Sequence, residues 1–177
     1  MAESKKIFLA PVSSSELYRN YQRTVMVGLE KSEFFKLTGT SDYQKLLTQN
    51  SMVRIWGIKN VKLTSYNKVS IGDVVLFYHK GNIVGKAEID FKDKNLNLSA
   101  QLWGHDYDKL RNTKEYWENI LFMSNFCILN LPFSVLIKYA DYSPIASVRS
   151  FNEYSPSGLT NLIKDNKDIE TFIKKYK

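Results

Sequence analysis

Asp73 and the run Asp90-Phe91-Lys92 have the D…[DE]xK spacing of metal-dependent nucleases. In that chemistry the carboxylates hold the metal and the lysine assists the attacking water. The same residues also read as a turn aspartate after Gly72 and a solvated strand end, so the pattern stands as one alternative. The histidines are His79 and His105, and the single cysteine is Cys127; this is too small a set for a zinc site. There is no GxxxxGK[ST] phosphate loop and no GxGxxG, and no nucleophile motif supports a Ser-His-Asp or Cys-His centre. The expectation is a binding protein without a cofactor or catalytic residues. Cys127 lies in the apolar run FCILNL and is expected to be a buried, inert thiol.

The aromatic and basic residues point elsewhere. Phe, Trp and Tyr make up 14% of the 177 residues, more than one small core needs, which leaves rings for a surface or a pocket. Large flat rings grip a flat partner well. The net charge is +7 and the pI about 9.3, which favours an anionic partner such as nucleic acid or an acidic membrane surface. No window approaches a membrane span. The start, MAESKKIFLAPV, lacks the apolar centre of a signal peptide, so a cytoplasmic protein is expected.

The elements that would position these residues can be read along the chain. Lys6 to Val12 reads as a buried strand and Ser13 to Val27 as a helix, with Ser13 and Glu16 at capping-box spacing. Residues 29 to 40 read as irregular, and Asp42 to Thr48 as a short helix. Ser51 to Trp56 reads as a strand with Val53 and Ile55 on one face and Met52, Arg54 and Trp56 on the other, one face being open to solvent or ligand. A loop, KNVKLTSYNK, follows. Val74 to His79 and Ile83 to Phe91 form a hairpin around Lys80-Gly81-Asn82, in which Tyr78 shares a face with Val74 and Leu76. Leu96 to Trp103 reads as a helix. Trp117 to Phe122 and Cys127 to Leu131 read as two strands around Ser124-Asn125, with Trp117 structural at the start of the first. Pro132 to Ala140, Pro156 to Lys164 and Lys167 to Tyr176 read as helices. This order lacks the regular βαβ rhythm of a parallel sheet, so a curved, mixed or antiparallel sheet flanked by helices is expected.

Four segments stand in a distinctive order: RIWGIKN (54–60), IGDVVLFYHKGNIVGKAEI (71–89), LSAQLWG (98–104) and YWENILFMSN (116–125). This arrangement resembles the EVE/YTH branch of the PUA-like superfamily, and looks most like the N-terminal DNA-recognition domain of McrB-type modification-dependent restriction GTPases. The shared elements are a Trp-Gly ending a strand, a Gly-Asp-hydrophobic hairpin, an LWG-like helix end and a WE.I.F strand. They cover about half the chain. The resemblance implies an α+β, PUA-like, YTH-like fold: a curved mixed sheet, or partly open barrel, with short helices around it. It implies one domain over 1–177, with 156–177 as a helical extension.

For function, the resemblance implies a pocket that receives a flipped-out, methylated base, within the specificity domain of a modification-dependent restriction system. The partner would be double-stranded DNA carrying a modified base. A GTPase domain would lie C-terminal to Lys177, and the nuclease would be a partner subunit. Carried over by position, Trp56 and Trp103 would wall the pocket, Ser13 and Ser14 would bond the base, and Gly57 and Ile58 would offer backbone groups. Tyr78 is a further candidate. Where the YTH pattern favours Asn, this chain has Ser13 and Ser14, which leaves the identity of the base open. Arg54, Lys59, Lys62, Lys68, Lys80 and Arg111 would rim the pocket and meet phosphates. A PUA-like module reading a modified nucleotide in RNA is the second reading.

Overall fold

The run VVLFYH at 74–79 is apolar at almost every position, so neither face of that strand belongs in water. In the computed structural model, which describes residues 5–39, 43, 51–108, 112–140, 142–143 and 146–176, this run is β4 (Val74–His79), and Val74 to Tyr78 are all buried. It pairs antiparallel with β5 (Asn82–Lys94) across the predicted tight turn. The positive φ values of that turn fall on Lys80 (43°) and Gly81 (90°). On its other edge β4 pairs parallel with β1 (Ile7–Pro11).

β8 (Asn119–Pro132) pairs antiparallel with the whole of β5, and β3 (Met52–Ile58) pairs antiparallel with β8. Two short strands, β2 (Leu29–Glu30) and β9 (Asn152–Glu153), close the edges of a seven-stranded sheet in the order β2-β3-β8-β5-β4-β1-β9. β6 (Asp106–Asp108) and β7 (Thr113–Glu115) make a separate hairpin. The sheet is mixed and does not close on itself, which is the expected α+β arrangement.

Helices cover both faces. One face carries Ile7, Leu9, Val74, Leu76, Tyr78, Ile83, Leu129 and Leu131. Against it pack α5 (Phe133–Ala140), α6 (Pro156–Asn166) and α7 (Ile169–Ile173), which supply Phe133, Leu136, Leu162, Ile169, Phe172 and Ile173. The expected C-terminal extension thus shares its core with the sheet. Lys86, buried on β5, pairs with Glu170 of α7. The other face carries Phe8, Ala10, Trp56, Ile58, Val75, Phe77 and Ile89. It is covered by α1 (Ser15–Tyr21), by the π-helical continuation Gln22–Val27, and by α3 (Leu63–Asn67), which buries Tyr66. Val53 and Ile55 of β3 face a third cluster with α2 (Lys31–Thr38) and α4 (Leu96–Trp103). β3 is therefore covered on both sides, and the solvent-facing side expected for it is filled.

Several local expectations change. The capping residue of α1 is Ser14, whose Oγ accepts the Leu17 N–H at 3.2 Å; Ser13 Oγ instead accepts the Lys80 N–H at 3.1 Å. Residues 29–40, expected to be irregular, hold β2 and α2, because Phe34 anchors that helix in the third cluster. The expected loop 59–68 is a 3₁₀ turn, Asn60–Lys62, followed by α3. The expected pair of strands around Ser124-Asn125 is the single strand β8: Asn125 takes φ 48° inside the strand, and the β5–β8 register shifts at three places. Such bulges bend the sheet without ending the strand. The helix expected over Asp42 to Thr48 lies outside the described residues except for Tyr43, which is buried against Phe34 and Phe122. Cys127 is half-buried rather than fully enclosed.

The residues of the nuclease pattern have structural duties. Asp73 is buried and accepts N–H groups from Lys6 and Ser70, both at 2.8 Å. Lys92 donates to the carbonyls of Tyr66 (3.1 Å) and Val69 (2.6 Å), and burial pushes its pKa down. Asp90 accepts from Ser124 Oγ at 2.5 Å. Among the described residues no three His, Cys, Asp or Glu side chains come together as a metal site.

Candidate functional site

At the C-terminal end of β3 the sequence Trp56-Gly57-Ile58 meets the end of β1, the start of α1 and the turn after β3. Together these elements leave a cavity of about 270 Å³. That is a little under the range of about 300–1,000 Å³ typical of drug-sized ligand sites. Its apolar wall is formed by Trp56, Trp117, Phe151, Leu17 and Ile58. Its polar groups are Ser14, Glu16, Ser150, Lys59, Asp106, Lys62 and Arg149.

Gly57 makes the wall possible. A Cβ there would stand 2.5 Å from Trp117 Cβ and 2.6 Å from Trp103 Cζ3. Only a residue without a side chain lets both indoles approach the strand. Trp56, 5% exposed, points to the other face and packs edge-on against Phe77 with ring centroids 5.7 Å apart. Phe151 is held parallel to Phe8 at 5.4 Å. The aromatic wall is thus fixed from behind by the core and shows only part of each ring to the cavity. Elsewhere on this face, the buried Tyr66 hydroxyl donates to the Asp93 carbonyl at 2.9 Å, and burial pushes its pKa up to about 12.

Of the residues singled out from sequence, Trp56, Gly57, Ile58, Ser14, Lys59 and Lys62 line this cavity. The others lie elsewhere. Trp103 sits behind Gly57, on a nearly filled slot of about 10 Å³ shared with Leu17, Asn20, Trp56 and Trp117, too small for a base. Its packing against α4 neighbours and Gly57 draws it inward, and its Nε1 is buried without a partner among the described residues. Tyr78 is on the opposite face of the sheet, edge-on to Phe133 at 5.1 Å, as the alternation of β4 requires. Ser13 is tied to the β4–β5 turn.

The cations divide in the same way. Lys59 is committed: it pairs with Asp106 and with Glu115 (3.5 Å) and lies over the Trp117 ring at 4.9 Å, clamping the β6–β7 hairpin beside the cavity. Arg54 lies over the Phe126 ring at 5.6 Å and does not reach the cavity. Lys68 pairs with Glu153 at 3.8 Å, and Lys80 is exposed at the β4–β5 turn. Arg111 lies outside the described residues. The cavity's cations without an ion pair to a described residue are Lys62 and Arg149.

Trp117, Phe151, Arg149, Ser150 and Glu16 escaped the sequence reading. Trp117 reads as the start of an apolar strand, yet it lies just before β8, where the chain turns over Gly57. Arg149 to Phe151 come from an irregular segment whose position no periodicity reveals; Glu16 reads in sequence only as part of a helix start.

Comparison with solved structures decides the fold. The N-terminal domain of McrB from Thermococcus gammatolerans, solved bound to m5C DNA, superposes with a TM-score of 0.66 at 16% identity over 92% of this chain and 98% of that one. The chain has the fold of the McrB N-terminal domain. The expected α+β class, a mixed sheet flanked by helices, is thus the observed one. Further similar structures are the Pho92 YTH domain in complex with m6A (TM-score 0.47, 16% identity, 93% of this chain and 87% of that one) and the YTH domain of Zygosaccharomyces rouxii MRB1 with N6-methyladenosine RNA (0.48, 15%, 92% and 86%). No family profile and no curated protein sequence matches the chain.

Proposed function

We propose that this McrB-N-like domain binds DNA and reads a modified, methylated base by flipping it into the cavity beside Trp56, as the specificity module of a modification-dependent restriction system. The observation that carries this reading is the partly apolar cavity at Trp56-Gly57-Ile58, on the fold of a domain solved with m5C DNA. Extruding a base costs a few kcal/mol. Stacking on an aromatic wall returns about 1–3 kcal/mol per base, and a buried methyl adds about 0.8 kcal/mol. The module is proposed to span the chain, with α6 and α7 built into it. It would act without a cofactor, in the cytoplasm, joined to a GTPase domain and served by a nuclease subunit.

A duplex with 2-aminopurine next to the modified base tests the flipping step. Fluorescence is expected to rise on binding as the probe loses its stacked neighbour. Tight binding with no fluorescence change would reject base flipping.

The phosphate contacts make a separate prediction. Lys62→Ala and Arg149→Ala are each expected to weaken binding to modified and unmodified duplexes alike, and to lower the slope of log K against log salt by about 1. Titrations at several salt concentrations measure this directly.

A further inference from the structure

Two carboxylates face the cavity, and they are in different states. Asp106 is paired with Lys59, which also meets Glu115. Glu16, in the first turn of α1, is exposed and forms no ion pair or hydrogen bond with a described side chain, although Lys62 and Arg149 line the same cavity. The hydroxyls nearby are partly used as acceptors: Ser14 Oγ takes the Leu17 N–H at 3.2 Å, and Ser150 Oγ takes the Asn152 amide at 2.6 Å. The cavity therefore offers a base edge one uncommitted anionic acceptor.

Resting on the base-pocket reading above, we propose that Glu16 is a specificity residue that selects bases carrying an exocyclic amino group and rejects those carrying a carbonyl at that place. The carboxylate accepts a hydrogen bond from the N4 amine of cytosine or the N6 amine of adenine. It repels the O4 of thymine, which leaves two acceptors facing each other. The apolar wall cannot supply this distinction. Thymine and 5-methylcytosine carry the same 5-methyl group, so a pocket that senses only the methyl cannot tell the abundant natural base from the modified one.

The test uses isosteric pairs in one duplex sequence. 5-Methylcytosine opposite guanine is compared with thymine opposite guanine, and N6-methyladenine with 6-methoxypurine, in which oxygen replaces the N–H. Duplexes with unmodified cytosine and adenine form the control. A mismatched base costs less to extrude, so a pure methyl sensor would bind the T·G duplex at least as well. The domain is expected to prefer the amino member of its preferred pair by tenfold or more. Glu16→Gln, whose amide can donate as well as accept, is expected to cut that ratio to threefold or less. Glu16→Ala is expected to cut it likewise. A role for Glu16 in the helix start alone would lower affinity for all duplexes and leave the ratio unchanged. An unchanged ratio in both variants, or no amino preference in the parent domain, overturns the proposal. Equal binding of modified and unmodified duplexes by the parent would instead defeat the base-pocket reading itself, and this inference with it.

Discussion

Gly57→Ala is expected to destabilise the domain by about 2–3 kcal/mol, because overpacking a filled site forces side chains and backbone apart. The added methyl would meet Trp117 Cβ at 2.5 Å, Trp103 Cζ3 at 2.6 Å and the Trp117 carbonyl at 2.7 Å. An indole edge can yield a little; the backbone of Trp117 is anchored by its entry into β8, the longest strand of the sheet. The change should also spoil the cavity, since Trp117 forms part of its wall. Urea unfolding provides the measure: at a slope of about 1–3 kcal/mol per molar, the midpoint should fall by about 1 M or more. An unchanged midpoint would mean that the two indoles do not depend on a bare backbone at this strand.

Trp56→Ala should have the largest effect on the site, and on two axes at once. Its ring is buried against Phe77, so truncation is expected to cost about 3–5 kcal/mol of stability. The lost stacking surface is worth about 1–3 kcal/mol per base, which is about 5-fold to 150-fold in affinity for the modified duplex. Trp117→Ala should show a similar binding loss. Trp103→Ala should differ: that indole stands behind Gly57, so stability should fall while affinity, measured on folded protein, changes little. Binding titrations corrected for the folded fraction separate the two effects. If Trp103→Ala abolished binding and Trp56→Ala did not, the cavity would be on the wrong side of Gly57.

Much of this arrangement is legible in the residues. The β4–β5 hairpin, α4 with its exact span from Leu96 to Trp103, and the strand through Trp56, which runs on to Ile58, follow from alternation, turn chemistry and helical spacing. Tyr78 shows both the strength and the limit of that reasoning. Its face is set correctly by Val74 and Leu76, yet sequence does not say which face of the sheet holds the cavity. Asn125 misleads for a physical reason: a residue that tolerates positive φ marks a turn in most settings, but here it marks a bulge inside β8. The cations show a further limit. Lys59, Lys62 and Lys68 look alike in sequence, and only tertiary packing brings Asp106 and Glu115 to the first, Glu153 to the third and no described carboxylate to Lys62. Trp117 and Phe151 reach the cavity through chain segments with no periodic signal, so their proximity to Trp56 becomes visible only in three dimensions.

One titration at fixed salt tests whether this domain reads a modified base. The same duplex is presented unmodified and with N6-methyladenine, 5-methylcytosine or 5-hydroxymethylcytosine, alongside single-stranded RNA carrying the same modifications. The proposal predicts that one modified duplex is bound at least tenfold more tightly than its unmodified parent, and more tightly than the RNA. Equal, steeply salt-dependent binding to every ligand would contradict it, leaving a basic surface without a base-reading pocket, and a preference for modified RNA would transfer the pocket to an RNA-reading function.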